Sequence, residues 1–158
     1  MSLSEEVLEL TRCYRAELAE YREFLQVSRR LNQLLRAGEE TSQLGEILNA
    51  QTEIIRRIND WDEKATKLKE SVARALGVAE VTVSALGDLP EAEGFREVLG
   101  ELGDVLKKLE EVETENQRLL QERLELMRRR ESSPSPKQAG KAYQERCLNQ
   151  DSQIDKKR

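Results

Sequence analysis

The sequence predicts an all-α protein: an elongated antiparallel helical hairpin plus a third long helix, forming an up-and-down three-helix bundle with a disordered C-terminal tail. Three observations lead there. Apolar residues recur in steps of three and four over three long stretches, the spacing that lines one face of a helix. Charged residues make up 36% of the 158-residue chain and hydrophobic ones only 37%, against about 25% and about 45–50% in typical globular chains. Glycine and proline together number 11, grouped at a few places, so the frequent turns of a β fold are missing.

The first run covers about 3–37. Ser2 and Glu5 have capping-box spacing, and Glu5 and Glu6 suit the positive start of a helix. Leu3, Val7, Leu10, Tyr14, Leu18, Tyr21, Leu25, Leu31 and Leu35 form the stripe, with Ser28 standing in its gap. Gly38 is available for a left-handed cap. The second run covers about 42–76, with Thr41 or Ser42 expected at its N-cap. Its stripe is Leu44, Ile47, Gln51, Ile54, Ile58, Trp61, Ala65, Leu68, Val72 and Leu76, with Gln51 the polar exception. Gly77 stops it. A short turn between runs of similar length folds them back on each other, and Trp61 reads as a packing anchor.

The stretch GVAEVTVSALGDLP could supply a strand by composition, but one isolated strand has no partner. A connector with one helical turn after Thr82 fits better. The third run covers about 91–130, and Phe95, Val98, Leu102, Val105, Leu109, Val112, Asn116 and Leu119 alternate as a heptad seam. Asn116 has two readings at this point: it fixes register at a cost in stability, or it offers a hydrogen bond to a partner helix. The last turns, Leu119 to Met127, are more than the hairpin needs, and an uncovered seam marks a partner site. SSPSP then breaks the helix, which divides the chain into a helical domain at 1–131 and a flexible tail at 132–158.

Charge and chemistry exclude much. The chain carries 26 basic and 31 acidic residues, net −5, and no histidine. The tail from Ser132 is +3 and the body −8, which makes nucleic acid a poor partner. Cys13 and Cys147 are far apart without metal or redox spacing. With no apolar N-terminal segment and no membrane-length apolar run, the protein reads as cytoplasmic with reduced thiols. No nucleophile motif, phosphate loop or metal-ligand pattern occurs. The expectation is a binding protein, not an enzyme, without cofactor or metal. A structural coiled-coil adaptor that self-associates as a homodimer through the third run is the competing reading.

LNQLLRAGEETSQLGEILNAQTEIIRRINDWDEKA resembles the hairpin of the FlgN-like flagellar export chaperones, with Leu44, Ile47, Leu48, Gln51, Ile54 and Ile55 matching that family's second-helix rhythm. RALGVAEVTVSAL resembles its connector, and LKKLEEVETENQRLLQERLELM its third helix. AYQERC and the closing SQIDKKR resemble its ending. The resemblance implies a cytoplasmic chaperone that binds the C-terminal helices of hook–filament junction proteins, keeps them unassembled and delivers them to a type III export gate. It places client binding on Leu109, Val112, Asn116, Leu119, Leu120 and Leu124, and export-gate docking on Tyr143.

Overall fold

A computed structural model describes residues 1–38 and 41–132. Helix α1 spans Leu3–Ala37, a 3-10 turn Thr41–Gln43 leads into α2 at Leu44–Leu76, α3 is the single turn Val83–Leu86, and α4 spans Ala92–Ser132. Among the described residues there is no strand. Contacts divide the chain into Met1–Asn116 and Gln117–Arg158. The first unit holds α1, α2, α3 and the part of α4 through Asn116. Of the second, residues 117–132 are described.

The helix ends follow from local chemistry. Ser2 sits in extended conformation and its hydroxyl accepts from the Glu5 N–H at 3.2 Å, satisfying one of the four donors a helix start leaves open. Gly38 and Gly77 close α1 and α2 at φ 66° and 68°, left-handed values that a Cβ would strain. Thr82 caps α3 through the Ala85 N–H at 3.0 Å, so the connector is the expected helical turn. The start of α2 departs from expectation. Thr41 and Ser42 fall inside the 3-10 turn, and the cap position is Gln43, in helical conformation with no side-chain cap bond. A tightened 3-10 turn feeding straight into the helix leaves no extended residue for a hydroxyl cap to use.

Within the first unit, cross-helix pairs fix the direction of each helix. Arg57 bonds Glu20 at 3.0 Å and Ser71 bonds Glu6 at 2.7 Å, so α2 runs antiparallel to α1. Arg15 lies 3.8 Å from Glu97, Arg22 3.8 Å from Glu101 and Ser28 2.5 Å from Glu113. Residue numbers here rise together, so α4 runs parallel to α1. The unit is therefore an up-and-down three-helix bundle.

Its core uses the three stripes read from the sequence. Val7, Leu10, Cys13, Tyr14, Leu18 and Leu25 of α1, Ala65 and Val72 of α2, and Phe95, Val98, Leu102, Val105 and Leu109 of α4 form one buried cluster, with Leu86 of α3 joining it. Phe95 is 1% exposed and its ring centroid lies 5.8 Å from that of Tyr14 in a tilted arrangement, a geometry that adds to simple area burial. Trp61 packs partly buried on this cluster, with the Lys64 ammonium 4.7 Å from its ring centroid.

Truncating Phe95 removes a ring from all three helices' common interior. Phe95→Ala is expected to cost about 3–5 kcal/mol, measured as a lower urea midpoint in circular dichroism.

Candidate functional site

Six side chains on α4 were expected to hold a client helix, and the fold separates them. Leu109 is in the core cluster and Val112 packs against it half-buried. Asn116 is 1% exposed. Its side-chain amide donates to the Ser28 carbonyl at 2.9 Å, and its Oδ1 accepts from Asn32 Nδ2 at 3.0 Å. Around it, the Ser28 hydroxyl donates to Glu113 at 2.5 Å and accepts from Gln51 Nε2 at 3.3 Å. Arg36 pairs with Glu115. The result is a polar layer in which each of the three helices supplies one residue that broke its own apolar stripe: Ser28, Gln51 and Asn116. In this structure Leu109, Val112 and Asn116 are turned toward α1 and α2.

Leu119, Leu120 and Leu124 belong to residues 117–132. Leu119 and Leu120 are half-buried. Leu124 is 53% exposed, and its neighbours Leu126 and Met127 are 57% and 50% exposed. Within this stretch Arg118 bonds Glu122 at 2.6 Å across one turn. Three large apolar side chains at half or more exposure within four residues form a patch rather than the scattered single exposures normal on a surface. Tyr143, the expected gate-docking residue, lies outside the described residues, as does the tail at 133–158.

Sequence reasoning missed Glu17. It is 4% exposed, and its Oε1 has no hydrogen-bond partner. Burial pushes its carboxyl up to about 7; Asp62 raises it further and Lys69 opposes both. The signal was available: Glu17 is three residues from Tyr14 and four from Tyr21, on the α1 stripe itself. Burial also raises the Cys13 thiol, which keeps it protonated and a poor nucleophile.

An open cleft of about 380 Å³ lies beside Tyr14, Thr66, Lys69, Glu70 and Val81. Among the described residues no group of His, Cys, Asp or Glu stands ready for a metal ion, and no helix is long and apolar enough to cross a membrane. The arrangement is one of helix faces, which bind other helices.

Two substitutions test this account. Asn116→Ala removes both buried amide bonds and leaves the Asn32 side chain without its partner, and is expected to lower unfolding free energy by about 1–3 kcal/mol. For Glu17, the folded state holds its proton more tightly than the unfolded chain. Its stabilising contribution is therefore complete below pH 4.5 and is lost as pH rises through about 7. Glu17→Gln removes that loss, so the variant is expected to gain about 2–3 kcal/mol on wild type between pH 5 and pH 8, read from urea unfolding at both values.

With the geometry in place, comparison with known proteins adds one match. A family model described as FlgN protein covers residues 1–146. No curated protein and no solved structure matches the chain.

Proposed function

The chain belongs to the FlgN family, the flagellar export chaperones, and we propose that it holds the C-terminal helices of hook–filament junction proteins and delivers them to the type III export gate from the cytoplasm. The observation that carries this reading is the exposed apolar patch at Leu124, Leu126 and Met127. Exposed leucine and methionine cost solubility unless a partner covers them, and a client's amphipathic helix is such a partner. Burial of Leu109 and Asn116 in the bundle favours a division of labour along α4. Leu109, Val112 and Asn116 hold the helix in register, and Leu119, Leu120 and Leu124 receive the client.

The division of the chain into a helical domain, 1–131, and a tail, 132–158, is part of the same proposal. Tyr143 is assigned to gate docking. A Tyr-bearing polar segment suits a delivery step, because ordering it on contact lowers affinity and eases release.

Leu124→Asp is expected to weaken binding of a junction-protein C-terminal peptide about tenfold or more, with the circular dichroism spectrum unchanged. Tyr143→Ala, or truncation at Ser132, is expected to leave peptide binding intact and reduce swimming motility. Loss of peptide binding on truncation would reassign the roles. A stable homodimer in light scattering that ignores the peptide would instead support a scaffold.

A further inference from the structure

Helices α2 and α4 each have two flanks beside their buried stripe, and polar pairs mark the flank that meets α1. Arg57 and Ser71 mark it on α2, Glu97 and Glu101 on α4. At about 100° per residue, Leu48 and Ile55 fall on the other flank of α2, and Leu99 and Leu106 on the other flank of α4. In a three-helix bundle these two remaining flanks face each other. Their heights agree as well. Ile55 lies between Gln51, which reaches Ser28, and Arg57, which reaches Glu23. Leu106 lies between Glu101, which reaches Arg22, and Glu113, which reaches Ser28. Leu48, Ile55 and Leu106 are nevertheless 51%, 45% and 39% exposed, and Leu44 and Leu99 are half-buried. The α2–α4 seam is an apolar strip open to solvent, of the kind that marks a partner site.

The charges beside it have one sign. From Leu44 to Asp62 on α2 and from Leu99 to Asn116 on α4, the charged residues on these flanks are Asp62, Glu110 and Glu113. Glu113 accepts from Ser28, while Asp62 and Glu110 are exposed. Arg56 and Lys107 stand about a quarter turn further out, and Arg56 is held by Glu53 and Asp60. Lys69, one heptad beyond Asp62, lies 5.7 Å from the centroid of the Tyr14 ring. Residues 1–116 lean the same way, with 25 acidic and 15 basic.

We propose that this seam takes an amphipathic helix of another protein, one whose apolar stripe is flanked by lysine or arginine. The site lies within Met1–Asn116 and does not rest on the client-docking reading above. Leu48 to Asp62 covers about 21 Å, the length of four turns of a partner helix. Leu48 and Ile55 one heptad apart, with Leu106 across from Ile55, offer the spaced contacts that a helix in a groove uses. Asp62 and Glu110 then set the partner's charge, favouring basic flanks and repelling acidic ones.

Other occupants fit less well. A second copy brings the same two carboxylates against each other's surface. An anionic bilayer is repelled by an acidic rim. The chain's own tail is basic, but Tyr143, Leu148 and Ile154 are five and six residues apart, which does not make a helical stripe.

The test uses the full chain and two designed helical peptides with one leucine stripe, flanked by lysines in one and glutamates in the other. Fluorescence anisotropy is expected to show the lysine peptide bound at least about tenfold tighter, with a preference that shrinks as salt rises. Ile55→Asp/Leu106→Asp is expected to lose this binding with helicity by circular dichroism unchanged, whereas Leu124→Asp keeps it. In Asp62→Asn/Glu110→Gln the preference is expected to disappear, and in Asp62→Lys/Glu110→Lys to reverse. Equal binding of both peptides by wild type, or binding of neither, overturns the proposal; the response of a junction-protein peptide to Leu124→Asp still decides the client reading separately. Lysine-peptide binding lost in Leu124→Asp and kept in Ile55→Asp/Leu106→Asp moves the site off the seam and overturns it too. Tighter binding after truncation at Ser132 overturns it in favour of the tail as occupant. Self-association in light scattering that Ile55→Asp/Leu106→Asp abolishes overturns it in favour of a second copy.

Discussion

The amide of Asn116 has to find two hydrogen bonds inside a bundle, and much of the arrangement of residues 1–116 follows from how it does so. A buried side-chain amide left unpaired costs on the order of 1–3 kcal/mol. Here its donor meets the Ser28 carbonyl and its acceptor meets Asn32, which is possible at one axial register of α4 on α1. A purely leucine seam would pack almost as well after a slip of one heptad, because apolar contact is non-directional. The polar layer removes that freedom. The salt bridges on the rim, Arg15 with Glu97 and Arg22 with Glu101, agree with this register, but exposed pairs of that kind contribute too little to set it.

Glu17 shows the same economy failing locally. Its carboxyl is buried in the hairpin without a bond for one oxygen, and the proton it retains to about pH 7 is the response of a carboxyl to an apolar site. The groups around it divide: Asp62 of α2 favours retention of the proton and Lys69 opposes it. The seam between α1 and α2 therefore depends on pH near neutrality, while the Asn116 amide holds α4 to α1 through hydrogen bonds to the Ser28 carbonyl and the Asn32 amide.

Along α4 the heptad positions change character in one direction. Phe95 to Leu109 are core, Asn116 is the polar lock, and Arg123 and Arg130 occupy the equivalent steps on the face that exposes Leu124 and Met127. A buried apolar seam serves folding. An exposed one is open to a partner helix.

Local periodicity was enough to place the helices and their stripes: α1 at Leu3–Ala37 and the glycine stops at 38 and 77 follow from it and from backbone freedom at single residues, whereas the 3-10 entry to α2 did not. It also marked Ser28, Gln51 and Asn116 as exceptions, one on each stripe. That these three meet in one layer was not legible, because helical periodicity says which residues share a face and nothing about which faces become neighbours or at what height. The same limit explains the candidate client site. Val105 and Leu126 hold equivalent places in the heptad, one 8% and the other 57% exposed, and only tertiary packing, which covers a seam as far as there are helices to cover it, could tell them apart. Glu17 stands on the α1 stripe, but a glutamate on a helix reads as solvated until the neighbouring helix is in place to exclude the water.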